Sequence, residues 1–188
     1  MSSTNSQQTL FARLTNDPKF INGSPEDKIN ALLGMSSPDD VRLLSQFLTE
    51  DVKLVSYKQL SPTTSSAVFA FRVERFYCNF SGNLHGGAAA TFYDVLTSIL
   101  LQAIDAPGSW GNAGVSRSLS VTYLRPAPEG IMVECDVEVV HSGKSLAFLR
   151  GSMKRQDDGK LISTCEHDKA AVKIKAGFEV PSPKPAKM

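Results

Sequence analysis

One long helix wrapped by a curved antiparallel sheet, an α+β arrangement, is the fold the sequence predicts. Three observations carry it. From Phe69 onward most of the chain alternates apolar and polar residues with period two, the mark of half-buried strands. One stretch breaks that pattern: Phe92, Val95, Leu96, Ile99, Leu100 and Ala103 fall at helical spacing. Short turn signals join the later strands, as antiparallel hairpins require.

The elements follow in order. Residues 1–24 are polar and read as a loose arm. Ser24-Pro25-Glu26-Asp27 is a helix start, with Ser as N-cap and Pro in the first turn, and Gly34 ends that helix. Ser37-Pro38-Asp39-Asp40 repeats the signal for a second short helix carrying Val41, Leu44, Phe47 and Leu48. Residues 1–50 therefore form an N-terminal extension beside a main domain at 51–175. Phe69, Phe71 and Val73 mark a first strand. Gly86-Gly87 opens the long helix, Ala88 to Ala90 favour it, and Pro107-Gly108 follows its end. Val115, Arg117, Leu119, Val121 and Tyr123 then alternate with Ser116, Ser118, Ser120 and Thr122. Ile131 to Val139 form a long strand, Ser142-Gly143-Lys144 turns into a strand at 145–155, and Asp157-Asp158-Gly159 leads into a last one at about 160–173. The Pro-rich tail, 176–188, is expected to be disordered.

Composition narrows the function. The chain has 188 residues, 41% hydrophobic and 21% charged, enough for one packed core. Twenty basic against 19 acidic residues give a net charge of +1, no field for nucleic acid or an anionic membrane. The apolar run from Ala88 to Ile104 is interrupted by Asp94 and Gln102 and falls short of the about 18 apolar residues of a membrane span. Cys78, Cys135 and Cys165 are widely spaced without CxxC, which argues against structural zinc and for reduced core cysteines. No secretory leader is visible. Cytoplasm or mitochondrion is expected, with the peroxisome also open because Ala186-Lys187-Met188 resembles a small-basic-aliphatic targeting tail.

The segment Asn79-Phe80-Ser81-Gly82-Asn83-Leu84-His85-Gly86-Gly87, followed by Asp94, is where chemistry fits. The first amides of a helix have no partner within it and carry partial positive charge, so glycines there let a carbonyl oxygen approach. A tight packing turn is the competing reading. Asp94 lies opposite the apolar stripe, which suits a solvated face. Yet Tyr93, Thr97, Ser98 and Leu101 share its side, as if a partner chain covered it. Eight residues separate Gly86 from Asp94, about 12 Å along a helix, too far for both to act on one carbonyl. If both act, Gly86 of one chain meets Asp94 of another, and the site needs a dimer. His85 suits a turn cap better than an acid or base, and His141 and His167 read as polar strand ends. Lys144, Arg150, Lys154 and Arg155 cluster near one hairpin, as a solvated edge or a phosphate grip. No GxSxG, GxGxxG or P-loop occurs.

These residues resemble a family. Asn79-x-x-Gly82-x-x-His85-Gly86-Gly87 with Asp94 in the next helix is similar to the signature of hotdog-fold acyl-CoA thioesterases, of the PaaI-like type and the eukaryotic thioesterase superfamily members. Gly114-Val115-Ser116, Val121 to Ala127, His141 to Phe148 and Gly159 to Ile162 agree in order, so the likeness spans about 50–172. The resemblance implies a hotdog fold and hydrolysis of acyl-CoA to free acid and CoA. By it, Gly86 N–H polarises the thioester carbonyl and Asp94 of the opposite subunit is base or nucleophile. Ser116 helps place water, and Asn79 orients water or thioester. His85 supports the loop, and Tyr123 with His141, Ser142, Gly143, Lys144 and Ser145 lies near the CoA moiety. It implies no metal or other cofactor, CoA being part of the substrate, and a homodimer that pairs into a tetramer. A non-catalytic acyl-CoA sensor on the same fold is the alternative, and a hotdog hydratase using His85 with Asp94 is a third reading.

Overall fold

The computed structural model describes residues 14, 16–34, 43–105 and 108–172. The cap signal at Ser37 to Asp40, the Pro-rich tail and the targeting-like C-terminus lie outside them. Helix α1 (Pro18–Asn22) is followed by α2 (Pro25–Leu33). A short helix α3 (Leu43–Gln46) runs on into a wider turn, Phe47–Asp51. Strands β1 (Lys53–Ser61) and β2 (Thr64–Arg72) precede the long helix α4 (Gly86–Asp105). Strands β3 (Val115–Tyr123), β4 (Met132–Ser142), β5 (Leu146–Arg155) and β6 (Leu161–Ala170) follow. All six form one antiparallel sheet in the order β1-β2-β4-β5-β6-β3.

Local chemistry explains the elements. Ser24 and Asp27 make a reciprocal capping box on α2, where Ser24 Oγ accepts from Asp27 N at 3.2 Å and Ser24 N donates to Asp27 Oδ2 at 3.1 Å. Two expectations need correction. The reading of 1–24 as a loose arm misses α1, which Asp17 caps and whose Phe20 is buried. The sequence reading also lacks β1. That strand sits at the sheet edge, so its residues are mostly exposed and show no apolar alternation.

The inner face of the sheet lies against α4. Aligned across it are Phe69, Cys135, Met153 and Ser163, and next to them Ala67, Val137, Gly151 and Cys165. Ten of the 20 residues of α4 are buried within this domain, which accounts for its apolar composition. Tyr93 meets the sheet so closely that a Cβ on Gly151 would lie 2.7 Å from its ring. On its other flank Phe92 stacks on Phe47 at 3.7 Å, edge-on to Phe71 and Tyr77. The N-terminal segment therefore belongs to the core through Phe20, Ile29, Leu32, Leu33 and Phe47. Tyr77 Oη donates to Asp51 at 2.6 Å, and the Tyr77 carbonyl accepts from His85 N at 2.8 Å. This fastens the start of the domain to the loop that opens α4.

Candidate active site

The loop before α4 is built mostly from backbone. Asn79 Oδ1 accepts from Ser81 N at 2.9 Å and Asn83 N at 3.2 Å, closing a turn that passes through Gly82 at φ 70°. His85 Nδ1 accepts from Gly87 N at 2.9 Å, so His85 caps the turn with its own ring. Gly86 N–H has no partner among the described residues, as expected of the first amide of a helix. Its carbonyl accepts from Tyr123 Oη at 2.6 Å. The Tyr123 ring packs so near that a Cβ on Gly86 would sit 3.2 Å from Cζ. Beside the loop lies a cavity of about 600 Å³ lined by Arg75, Cys78, Asn79, Phe80, Gly82, His85 and Glu129.

A second cluster surrounds Asp94, whose side chain is 42% exposed. Ser116 Oγ donates to Asp94 Oδ1 at 2.6 Å. His167 Nε2 lies 2.9 Å from Ser116 Oγ and 3.3 Å from Asp94 Oδ1, and His167 Nδ1 lies 2.7 Å from Thr97 Oγ1. Counting hydrogens assigns the tautomer. The carboxylate only accepts, so it takes the one Ser116 hydroxyl hydrogen, and Ser116 Oγ then accepts from Nε2–H; on the other side of the ring Thr97 Oγ1 lies 2.7 Å from both Nδ1 and the Tyr93 carbonyl, which share its one hydrogen. Burial first, and the charge of Lys169 second, push His167 down to about 4 against the opposing pull of Asp94 and Asp168, so the ring is neutral at pH 7.

A β-bulge makes this geometry. Ser116 pairs with Lys169 and Ser118 with Asp168, leaving Arg117 as an extra residue in β3. Past the bulge Leu119 pairs with His167 and Val121 with Cys165. Strict alternation, as expected from sequence, sets Ser116 on the face opposite Leu119. The bulge instead brings it to the helix side, beside Asp94.

Other expectations are corrected here too. His167 is no strand end; it is fully buried within β6. Its signal was position, because it shares the inward register with Cys165 and Lys169. Part of the Asp94 side of α4 is covered by the chain itself, while Asp94 stays half exposed. Tyr93, Thr97 and Leu101 are buried, with Tyr93 Oη donating to Ser163 O at 2.9 Å on the chain's own sheet.

The expected site residues thus fall into separate groups. Asp94 and Ser116 touch; Gly86, His85 and Asn79 share one loop, which Tyr123 joins. The turn after His141 is a third. Ser142 Oγ donates to Thr63 O at 2.9 Å, Gly143 N to Leu146 O at 2.9 Å, and the Gly143 carbonyl accepts from Trp110 Nε1 at 2.9 Å, while Lys144 and Ser145 are exposed. Among the described residues no hydrogen bond or ion pair joins that turn to Asp94 or Gly86. Three of the four basic residues near the hairpin pair with acids: Lys154 with Glu134 and Asp136, Arg155 with Asp157 and Asp158, and Arg150 with Glu166. That favours the solvated edge over a phosphate grip. All three cysteines are free thiols, and burial pushes Cys165 up to about 12 and Cys135 well above its ordinary value. Among the described residues no group of three His, Cys, Asp or Glu side chains could hold a metal.

Comparison with known proteins gives the family. The thioesterase superfamily model matches residues 81–162. Mouse acyl-coenzyme A thioesterase 13 is 30% identical over 110 residues, 58% of this chain and 76% of the relative. This chain belongs to the thioesterase superfamily. The human acyl-coenzyme A thioesterase 13 is 31% identical over the same coverage. The crystal structure of mouse thioesterase superfamily member 2 matches this thioesterase with TM-score 0.63 at 26% identity, covering 80% of this chain and 99% of that one. The E. coli PaaI protein shares the fold, with TM-score 0.53 at 18% identity over 63% of this chain and 82% of its own. The thioesterase is thus a hydrolase of the hotdog fold, with a long helix against a six-stranded antiparallel sheet.

Proposed function

We propose that this thioesterase hydrolyses acyl-CoA to a free acid and CoA, with Asp94 as the base that activates water. One observation carries the reading most: a half-exposed carboxylate fixed by Ser116 and by a neutral buried histidine. Asp94 Oδ1 is held by these partners, which leaves Oδ2 without a hydrogen-bond partner among the described residues and open to a water. As that water attacks the thioester carbon, its proton passes to Asp94, the carbon–sulfur bond breaks, and the CoA thiolate leaves. The developing oxyanion is taken by an unpartnered amide, for which Gly86 N–H is the candidate. The spacing of about 12 Å along α4 keeps one chain's Gly86 from the carbonyl its own Asp94 serves. A second copy supplies the missing half. Strand β3 ends the sheet and leaves Val115, Tyr123 and Leu124 exposed, which supports pairing along that edge. Asn79, His85 and the turn from His141 to Ser145 are assigned to holding the thioester and CoA.

The test is release of CoA thiol from short, long and aryl acyl-CoAs, by wild type and Asp94→Asn, with the assembly mass measured alongside. Release by wild type alone, from a dimer or larger species, is the expected result. Binding without release would favour the sensor, and equal rates in the two proteins would remove Asp94 from the mechanism.

A further inference from the structure

Lys169 points inward from β6 and is 3% exposed. An ammonium in such a place is costly unless its three hydrogens find acceptors, and an apolar side chain of similar length fits the space more cheaply. Its Nζ donates to Ser98 Oγ at 2.7 Å and to Ser116 Oγ at 3.4 Å. Ser98 Oγ in turn donates to the Asp94 carbonyl at 2.5 Å, and Ser116 Oγ to Asp94 Oδ1 at 2.6 Å. Both routes from the lysine thus end on Asp94.

We propose that Lys169 is a positioning residue that sets the direction of the hydroxyl hydrogen bonds around Asp94. The inference rests on the thioesterase reading above and adds a residue to it. An ammonium has donors only, so it compels both hydroxyls to accept from it. Each hydroxyl has one hydrogen, which is thereby turned toward Asp94. With Ser116 committed in that direction, His167 keeps its hydrogen on Nε2. Without Lys169, Asp94 alone orients the Ser116 hydrogen, and in the fraction of molecules where Ser116 donates to His167 Nε2 instead the tautomer reverses and Oδ1 is unheld. The groups bearing on His167 are Asp94 from α4 and Asp168 and Lys169 from β6, while β3 and β5 present Ser116, Leu119 and Leu149. Lys169 is the cation among them, so its charge helps keep the ring neutral.

The experiment pairs kinetics with ¹⁵N NMR of the histidine ring. In wild type, the Nε2–H tautomer of His167 is expected at pH 7; finding Nδ1–H overturns the proposal without any variant. Lys169→Met is expected to melt at or above the wild-type temperature while kcat falls about tenfold or more with KM little changed. In the same variant His167 is expected to titrate higher and its tautomer to change. Lys169→Gln, which restores a donor without the charge, is expected to regain part of kcat but not the low His167 titration. Wild-type kcat and an unmoved His167 in Lys169→Met would overturn the proposal, as would a kcat loss that only mirrors unfolding. If wild type proves inactive on every acyl-CoA, the thioesterase reading fails, yet the tautomer and titration still decide the role of Lys169.

Discussion

The two ends of the site on α4 are made of different materials. At its first turn, Gly86 is placed by backbone hydrogen bonds, by the Asn79 turn and by a side-chain hydroxyl from Tyr123. These groups are partly exposed. Two turns on, Asp94 is placed by Ser116, His167, Thr97, Ser98 and Lys169, where the histidine and lysine are buried. A backbone-built oxyanion site is tolerant of side-chain change and, the His85 cap apart, insensitive to pH. A site built from buried ionisable groups is neither, because each partner's charge sets the next group's state. The fold joins both to one helix, so they share rigidity but not chemistry.

The largest expected effect breaks the second end. Asp94→Asn keeps shape and removes the base, and turnover should fall by about 10²–10⁴ with melting little changed. The next tests pH. His167 sits near 4 when folded, below its ordinary value, so the unfolded chain takes up a proton that the folded one refuses. The stability this group contributes is therefore whole above about pH 6.5 and is lost as pH falls toward 4. His167→Gln should flatten that part of the profile in denaturant titrations from pH 7 to 4. A slope equal to that of wild type would mean that other groups carry it.

The same contrast explains what the sequence made legible. The stripe from Phe92 to Ala103, the glycine opening and the Ser24-Pro25 helix start are local patterns, and each element lies where its pattern placed it. Asp94 and Ser116 were legible as a motif, but not the reason they meet. From Leu119 to Tyr123 apolar and polar residues alternate, but Ser116-Arg117-Ser118 is polar throughout, which interrupts the pattern without saying that Arg117 is an extra residue. Pairing with β6 decides that. In β6 both faces are polar, with Ser163, Cys165, His167 and Lys169 on one and Thr164, Glu166 and Asp168 on the other. Hydrophobicity cannot choose between them, so it marks neither His167 nor Lys169 as buried. The exposed edge strand β1 gave no alternation for the same reason: burial writes the pattern, and an edge has little.

The smaller predictions concern the first turn. Gly86→Ala leaves the amide in place and gains helix propensity of about 1 kcal/mol. Its methyl meets the Tyr123 ring at 3.2 Å, at the far end of that side chain, where a few tenths of an ångström of ring movement relieves the contact. Stability should thus change little, and a drop in kcat would report the moved ring rather than a lost fold. Tyr123→Phe isolates the hydroxyl. It deletes the hydrogen bond to the Gly86 carbonyl, worth about 0.5–1.5 kcal/mol, and leaves that carbonyl to water. If the two groups act only through each other, the double variant should cost less than the two single variants together. Additive losses in kcat would show instead that Tyr123 serves the substrate directly, and no pH dependence should accompany either change.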